Sequence, residues 1–362
     1  MNLIKSVAAI SLCSLSLSVL AEPSVTTNAF ITTGFSFTDS NVSYGGVGKD
    51  PNFSDVSKIG LQFKFDPDIE LPITFTAQLL AKGRASWSVE AEWAYLSYTP
   101  TDNLTVTAGK ILSPFFMISQ SIDVGITYPW SLPPEEIYGP ANVPFSSIAG
   151  IDFTYTDYIG DYEYMVKLYN GENEFSVPAA GLVVDVDMKR AIGLVLELAN
   201  DYGMLRYSIH TIEFSDGLGI TTGGGFPSTT NGKVLFTTFG AKFEWENILV
   251  MTEKASRALK NTMFPTSDTW YATVGYRMDK YLPTFTYSEI ETTNSLLDQA
   301  QSSLILGLEI TTSPSTRLNF EVIRISVNPG SAGLFDTFPV GFPGAQAVGD
   351  TTKVVASFSM VF

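Results

Sequence analysis

Segments of roughly ten residues in which apolar and polar side chains alternate recur along this chain, and beyond the first twenty residues no apolar run is long enough to cross a bilayer as a helix. In KIGLQFKF, Ile59, Leu61, Phe63 and Phe65 alternate with Gly60, Gln62 and Lys64. In ITFTAQLLAK, Ile73, Phe75, Ala77, Leu79 and Ala81 oppose Thr74, Thr76, Gln78, Leu80 and Lys82. YEYMVKLY, LRYSIHTIEF, VLFTTFGAKFEW, TWYATVGYRM and SLILGLEI repeat the pattern. One face is aliphatic or aromatic, and the other collects Lys64, Lys82, Lys167, Arg206, Lys242, Arg277, Glu309 and Lys353. Period-2 segments of this length are what tilted strands need to span a membrane.

About sixteen such segments can be placed, near residues 26–37, 57–65, 71–82, 88–98, 104–112, 148–156, 161–170, 187–199, 204–214, 232–245, 247–257, 268–279, 281–291, 302–312, 316–326 and 351–362. A soluble sandwich alternates too, so connection lengths must discriminate. Tight turns at 66–70, 99–103, 157–160, 200–203, 246–247, 279–280 and 313–315 interleave with longer connections, among them 38–56, 113–147, 171–186, 215–231 and 327–350. Short turns at one end and long loops at the other predict an all-β, transmembrane, antiparallel up-and-down barrel. An even strand count puts both chain ends at the short-turn end. There the terminal VVASFSMVF, with Val354, Ala356, Phe358, Met360 and Phe362 in one phase, can close on the first strand and remove an exposed edge. Tyr98, Tyr158, Tyr202, Trp245, Trp270 and Tyr281 lie near strand ends, where an interfacial girdle belongs.

Residues 1–21, MNLIKSVAAISLCSLSLSVLA, have a basic start at Lys5, an apolar stretch, and Val19 and Ala21 where a signal peptidase reads. They are expected to be a cleaved signal peptide, leaving one domain over residues 22–362. The only cysteine, Cys13, leaves with the signal, so the barrel holds together without disulfides. Of 21 Lys+Arg and 37 Asp+Glu, only Lys5 is removed, which leaves 20 against 37 and a net charge of −17. Such acidity excludes nucleic acid as a natural partner.

The segment AGKILSPF, Ala108 to Phe115, resembles the strand-to-loop passage of sixteen-stranded Gram-negative outer-membrane porins. YPWSLPPEEIYG, Tyr128 to Gly139, resembles a subgroup of porin-like proteins. Phe362 resembles the C-terminal aromatic by which outer-membrane barrels meet their assembly machinery. The resemblance implies a water-filled channel for passive diffusion of small hydrophilic solutes and ions, surrounded by outer-membrane lipid, without cofactor or metal, and as a homotrimer. It implies that the third long loop folds into the lumen and that its acids, Asp123, Glu135 and Glu136, face a basic wall. Lys64, Lys82, Arg84 and Lys110 are the nearby candidates for that wall, and Lys167, Arg206, His210, Lys242, Arg277 and Lys353 for the rest of the lumen lining. From the residues themselves, Pro114, Pro129, Pro133 and Pro134 fix φ in this loop, while Phe115, Phe116, Trp130 and Tyr138 supply packing area that an external loop needs less.

Other functions find less support. The one histidine, His210, lies in the wet phase of its strand, with no G-x-S-x-G or H-E-x-x-H motif in the chain. Glu90 and Glu92 share a strand face and mimic a carboxylate pair, yet the same spacing lines a pore. Gly223–Gly225 is followed by no helix that would bind phosphate. The patterns of an α/β periplasmic binding protein are missing, and no plug-sized domain is expected before the first strand. A substrate-specific channel with a saturable lumenal site is the nearest alternative to general diffusion.

Overall fold

The computed structural model describes residues 23–139, 142, 145–179, 182–214, 232–260, 266–293, 298–337 and 344–362. The expected signal peptide with Cys13, and the Gly223–Gly225 run, lie outside the described residues. Alternation yields sixteen strands among them: β1 (Ser24–Thr38), β2 (Lys58–Asp66), β3 (Ile73–Lys82), β4 (Val89–Thr101), β5 (Leu104–Leu112), β6 (Ser147–Ile159), β7 (Tyr162–Ala179) and β8 (Leu182–Asn200). They continue with β9 (Gly203–Phe214), β10 (Lys233–Trp245), β11 (Ile248–Lys260), β12 (Thr266–Tyr276), β13 (Tyr281–Thr293), β14 (Gln301–Ser313), β15 (Thr316–Val327) and β16 (Thr351–Val361). Each pairs antiparallel with its sequence neighbours, and β1 pairs with β16 to close the barrel. Closure is completed by the last residue, since Phe362 N–H donates to the Ala29 carbonyl at 2.9 Å and Ala29 N–H to that of Phe362 at 2.8 Å. The one α-helix among the described residues, α1 (Glu135–Tyr138), is four residues long, and no helix among them is long and apolar enough to cross a membrane.

The polarity of the wall is inverted relative to a soluble protein. Phe75, Leu96, Phe153, Leu168, Phe239, Phe285, Leu306 and Phe320 are exposed, and all lie in the outward phase of their strands. Phe63 and Phe358 share that phase and belong to neither interior apolar cluster. Charge interrupts this band at Lys254, midway along β11 and level with Phe239 and Trp270, and bounds it toward the long loops at Arg324, ion-paired with Asp350 at 3.0 Å. An outer surface so apolar has a matching solvent in lipid hydrocarbon.

One expected loop is a hairpin. Residues 171–186 were expected to connect two strands, but β7 and β8 run on through this stretch in register, with Glu174 opposite Asp187 and Phe175 opposite Val186. The alternation of EFSV and VVDVDM carries pairing beyond the point where the apolar band ends. Among the described residues no strand of the barrel falls within the connections at 39–57, 113–146 and 328–350, and the expected loop 215–231 lies outside the described residues.

The interior departs from a uniformly wet lumen. Val234 and Phe236 of β10, Leu249 and Met251 of β11, Tyr271 of β12 and Leu282 of β13 point inward and are buried. They form one cluster with Phe115, Phe116, Ile118, Tyr128, Trp130 and Ile137 of the third long connection, residues 113–146, called here the inner loop. Its apolar side chains supply the cover that these inward residues need.

Candidate channel constriction

The inner loop enters the barrel on its prolines and aromatics. The Pro114 carbonyl accepts from Arg206 Nη2 at 2.8 Å. The Phe115 carbonyl accepts from Ser208 Oγ at 3.1 Å and Thr238 Oγ1 at 3.0 Å, and Met117 N–H donates to Glu253 Oε1 at 2.8 Å. The Phe115 ring packs edge-on to Phe236, centroids 5.3 Å apart, and lies 4.5 Å from the His210 ring. These contacts fix the first limb to β9, β10 and β11.

The second limb, Tyr128 to Gly139, is fixed to the strands from β16 round to β11. Trp130 is fully buried; its Nε1–H donates to Thr286 Oγ1 at 3.0 Å and its carbonyl accepts from Asn319 Nδ2 at 3.0 Å. Ser131 N–H donates to Glu321 Oε1 at 2.6 Å, and Ser357 Oγ donates to Ser131 Oγ at 2.9 Å. Glu136 accepts from Ser288 and Gln301, each at 2.7 Å, and from Ser303. Tyr138 donates to Glu253. Buried carboxylates need donors, and here the loop and the wall supply them to each other.

Between the limbs lies a charged cluster on the opposite wall. Asp123 Oδ1 is 3.2 Å from Lys82 Nζ and 3.9 Å from Lys58 Nζ, while Lys82 also reaches Glu92 at 3.4 Å. Lys58 donates to the Ile122 carbonyl at 3.0 Å. Arg84, in a 3-10 turn at Gly83–Ala85 after β3, bridges Glu135 at 2.5 Å and Asp55 at 2.6 Å. Asp55, from the loop after β1, also pairs with Lys353 at 2.9 Å and accepts from Ser36 Oγ at 2.5 Å. Burial alone would raise the Asp55 carboxyl, but Lys353 and Arg84 outweigh it and hold it below the ordinary carboxylate value. Burial opposes the charge on Arg84 in the same way, and Glu135 and Asp55 override it to hold the guanidinium protonated more firmly than usual. Burial raises Tyr128 and Tyr138 of the inner loop, next to Asp123 and Glu253 respectively, so both stay neutral donors.

The structure brings Asp123, Glu135, Lys82 and Arg84 together and leaves the other expected constriction residues elsewhere. Lys110 is a correction: it pairs with Ala94 and Ala149 in the outward phase of Leu96 and Ile151, and its Nζ snorkels to the Ala91 carbonyl at 2.7 Å. The positive φ of the neighbouring Gly109 did not change this phase. Lys64 points inward but sits six residues along β2 from Lys58, toward the short turns, roughly 20 Å away along the strand. Glu136 faces the hydroxyls of β13 and β14 rather than a base.

Among the expected lining residues, Lys167 pairs with Asp152 at 3.6 Å, Lys242 with Glu244 at 3.4 Å and Arg277 with Glu309 at 3.3 Å, all on the inner face toward the short turns. Arg206 and Lys353 point inward but are covered, the first by Pro114 and the second by Asp55. His210 is also inward yet fully buried. Its Nδ1 lies 2.7 Å from the Tyr169 hydroxyl and its Nε2 2.8 Å from Ser208 Oγ, which is itself 2.6 Å from Thr238 Oγ1 and 3.1 Å from the Phe115 carbonyl. Gly193 permits this, since a Cβ there would meet His210 Nδ1 and the Tyr169 ring at 2.3 Å. Sequence reasoning missed Lys58, Asp55, Glu253 and Glu321. Lys58 was within reach, because it shares phase and strand-end height with Lys82, its register partner.

No protein-family model matches the chain, and no curated protein matches it. Solved structures share its architecture. An anion-selective porin from Comamonas acidovorans is 14% identical with TM-score 0.64, covering 94% of this chain and 100% of that one. OmpF of Salmonella typhi is 11% identical with TM-score 0.62, covering 93% and 97%. OmpT, an outer membrane protein of Vibrio cholerae in a trimer form, is 13% identical with TM-score 0.60, covering 94% and 100%. At these identities the likeness establishes the fold, a sixteen-stranded barrel of porin type.

Proposed function

We propose that the chain is an outer-membrane porin, exported with a cleaved signal at residues 1–21, which passes small hydrophilic solutes and ions down their gradients. The observation that carries this is the inversion of the barrel: apolar side chains face outward while ion pairs, from Lys167–Asp152 to Arg277–Glu309, stand on the inner face. A closed barrel with that polarity is stable in lipid and holds water inside. The narrowing formed by the inner loop then sets the size limit, lining charges with a free side toward water set ion preference, and no chemical step is needed. Outer-membrane lipid surrounds the apolar band, and Phe362, paired to Ala29 and exposed, is available to the barrel-assembly machinery. A homotrimer is part of the reading, supported by a neighbour of the same fold described in a trimer form.

Catalysis is disfavoured at the one Ser–His contact among the described residues, Ser208 with His210, because both side chains are fully buried. The test is planar-bilayer conductance of the refolded mature chain in salts of unequal ion mobility. Discrete conductance steps with a defined reversal potential are expected. A folded, inserted barrel that conducts nothing under any condition would overturn the reading, and current that saturates with one solute would identify a binding site.

A further inference from the structure

The inner loop does not lie along one side of the lumen. Its Phe115 carbonyl is held by Thr238 on β10, and seven residues later the Ile122 carbonyl is held by Lys58 on β2. These two strands are eight apart around a closed ring of sixteen, which makes them opposite walls. Sixteen strands about 4.8 Å apart and tilted about 40° enclose a Cα circle of roughly 32 Å. From Met117, held by Glu253 on β11, to Ile122 is five residues, which reach at most about 18 Å. The segment is turned, with Ser121 N–H on the Ile118 carbonyl, and so reaches less than this; the long inward side chains of Glu253 and Lys58 meet it from the two walls, which puts it out in the lumen between them.

The crossing segment, residues 119–127, differs from the limbs beside it. Phe115, Phe116 and Ile118 before it, and Tyr128 and Trp130 after it, are buried in the apolar cluster. Within it the backbone bonds are local, Ser121 N–H to Ile118 carbonyl, Val124 to Ser121 and Thr127 to Val124, at 2.8 to 3.0 Å. Its hold on the far wall consists of Lys58 and Lys82 around Ile122 and Asp123, and a close approach at Gly125, where a Cβ would meet Ser359 Oγ at 2.5 Å and Thr32 Oγ1 at 2.8 Å. The segment is thus anchored firmly at both ends by fully buried apolar side chains, and in its middle by these polar contacts and the half-buried Ile122, which packs against the same cluster. The Lys82 side chain is about one-third exposed, so water and salt reach the latch.

We propose that residues 119–127 form a crossbar gate, latched shut by Asp123 on Lys82 and Lys58, which rests on the channel reading above and makes the pore gated rather than permanently open. Parting this latch swings Ile122 and Asp123 from the β2–β3 wall while Phe115 and Trp130 stay in place; Tyr128, whose hydroxyl donates to the Ile122 carbonyl at 2.9 Å and accepts from Lys58 at 3.3 Å, is part of the latch. Such a two-state element shifts with any change that weakens one of its states.

Single-channel recordings of the refolded barrel test this. In the wild-type chain brief openings from a closed baseline are expected, with open probability rising with salt concentration. Asp123→Asn, nearly isosteric and uncharged, should raise open probability roughly tenfold and weaken that salt dependence. Asp123→Glu keeps the carboxylate facing both Lys58 and Lys82 and should leave the open probability close to wild type. Steady full conductance in the wild type, unchanged in Asp123→Asn, would overturn the gate while leaving the channel intact. Silence from the wild type and both variants, with folding verified by heat-modifiable gel migration, would instead remove the channel reading itself.

Discussion

Replacing Trp130 by Ala should loosen the inner loop without unfolding the barrel. The indole is fully buried, sits edge-on to Tyr271 at 5.4 Å between centroids, and donates to Thr286. Removing a buried tryptophan from a packed site costs about 3–5 kcal/mol, in line with roughly 200 Å² of apolar surface at about 25 cal/mol/Å². The lost hydrogen bond adds little, because Thr286 still has Thr273 as a partner at 2.7 Å. None of this energy resides in the ladder, which β1 and β16 close independently of the loop. The loss should therefore appear as local opening, raising the rate of chymotryptic cleavage within residues 113–146 by roughly two to four orders of magnitude where cleavage follows the open population. Denaturant unfolding of the barrel should stay close to wild type. Loop cleavage as slow as in the parent chain would refute the claim that Trp130 holds the second limb against the wall.

Arg84→Gln, which strips Asp55 and Glu135 of a shared partner, should change single-channel conductance several-fold, whereas Lys110→Gln on the outer face should leave conductance and reversal potential unaltered; bilayer recordings compare them directly. A serine-reactive fluorophosphonate should not label Ser208 in the folded barrel, and mass-spectrometric detection of an adduct there would contradict the sealed geometry. Asp55, whose folded pKa is lowered, stabilises the loop network above the ordinary carboxylate value of about 3.9, and that contribution is lost as pH falls through the lower folded value. The difference in thermal midpoint between wild type and Asp55→Asn should accordingly be full at neutral pH and shrink below about pH 4.

The wall was legible in the sequence because a strand exposes its faces at a fixed period of two. Ile59 to Phe65 and Val354 to Phe362 show their outward phase without tertiary information. Lys110 escaped this logic: it lies on the outward phase, yet a lysine two residues from a strand end reads as lumenal until its snorkelling path to Ala91 is seen. His210 and Lys353 were placed on the correct face but not under cover, since alternation reports direction and says nothing about what packs on top. A signal for that cover did exist. In AIGLVLEL and ILVM both phases are apolar, and an inward Ala191, Val195, Leu249 or Met251 makes sense only where something apolar fills the lumen beside it. Glu253 and Glu321 were not recoverable at all, because their partners, Met117 and Ser131, are backbone donors more than a hundred residues away.

The same distinction between direction and contact bears on charge. The sequence carries a strong acidic excess, which by itself argues for cation preference. At the constriction, however, Lys58, Lys82, Arg84 and Lys353 meet Asp55, Glu92, Asp123 and Glu135, and each cation lies within ion-pair distance of a carboxylate. Opposed charges that face each other across a gap would set a field through which solutes pass, as the resemblance to porins led one to expect. Here they touch, and at contact distance their fields largely cancel beyond a few ångströms. The cluster therefore acts mainly as a fastener, joining the loops after β1, β3 and β5 to the last strand. Ion preference then falls to charges with a free side toward water, such as Lys64 and the partly exposed Lys242 and Arg277 near the short turns, or to the acidic excess outside the lumen.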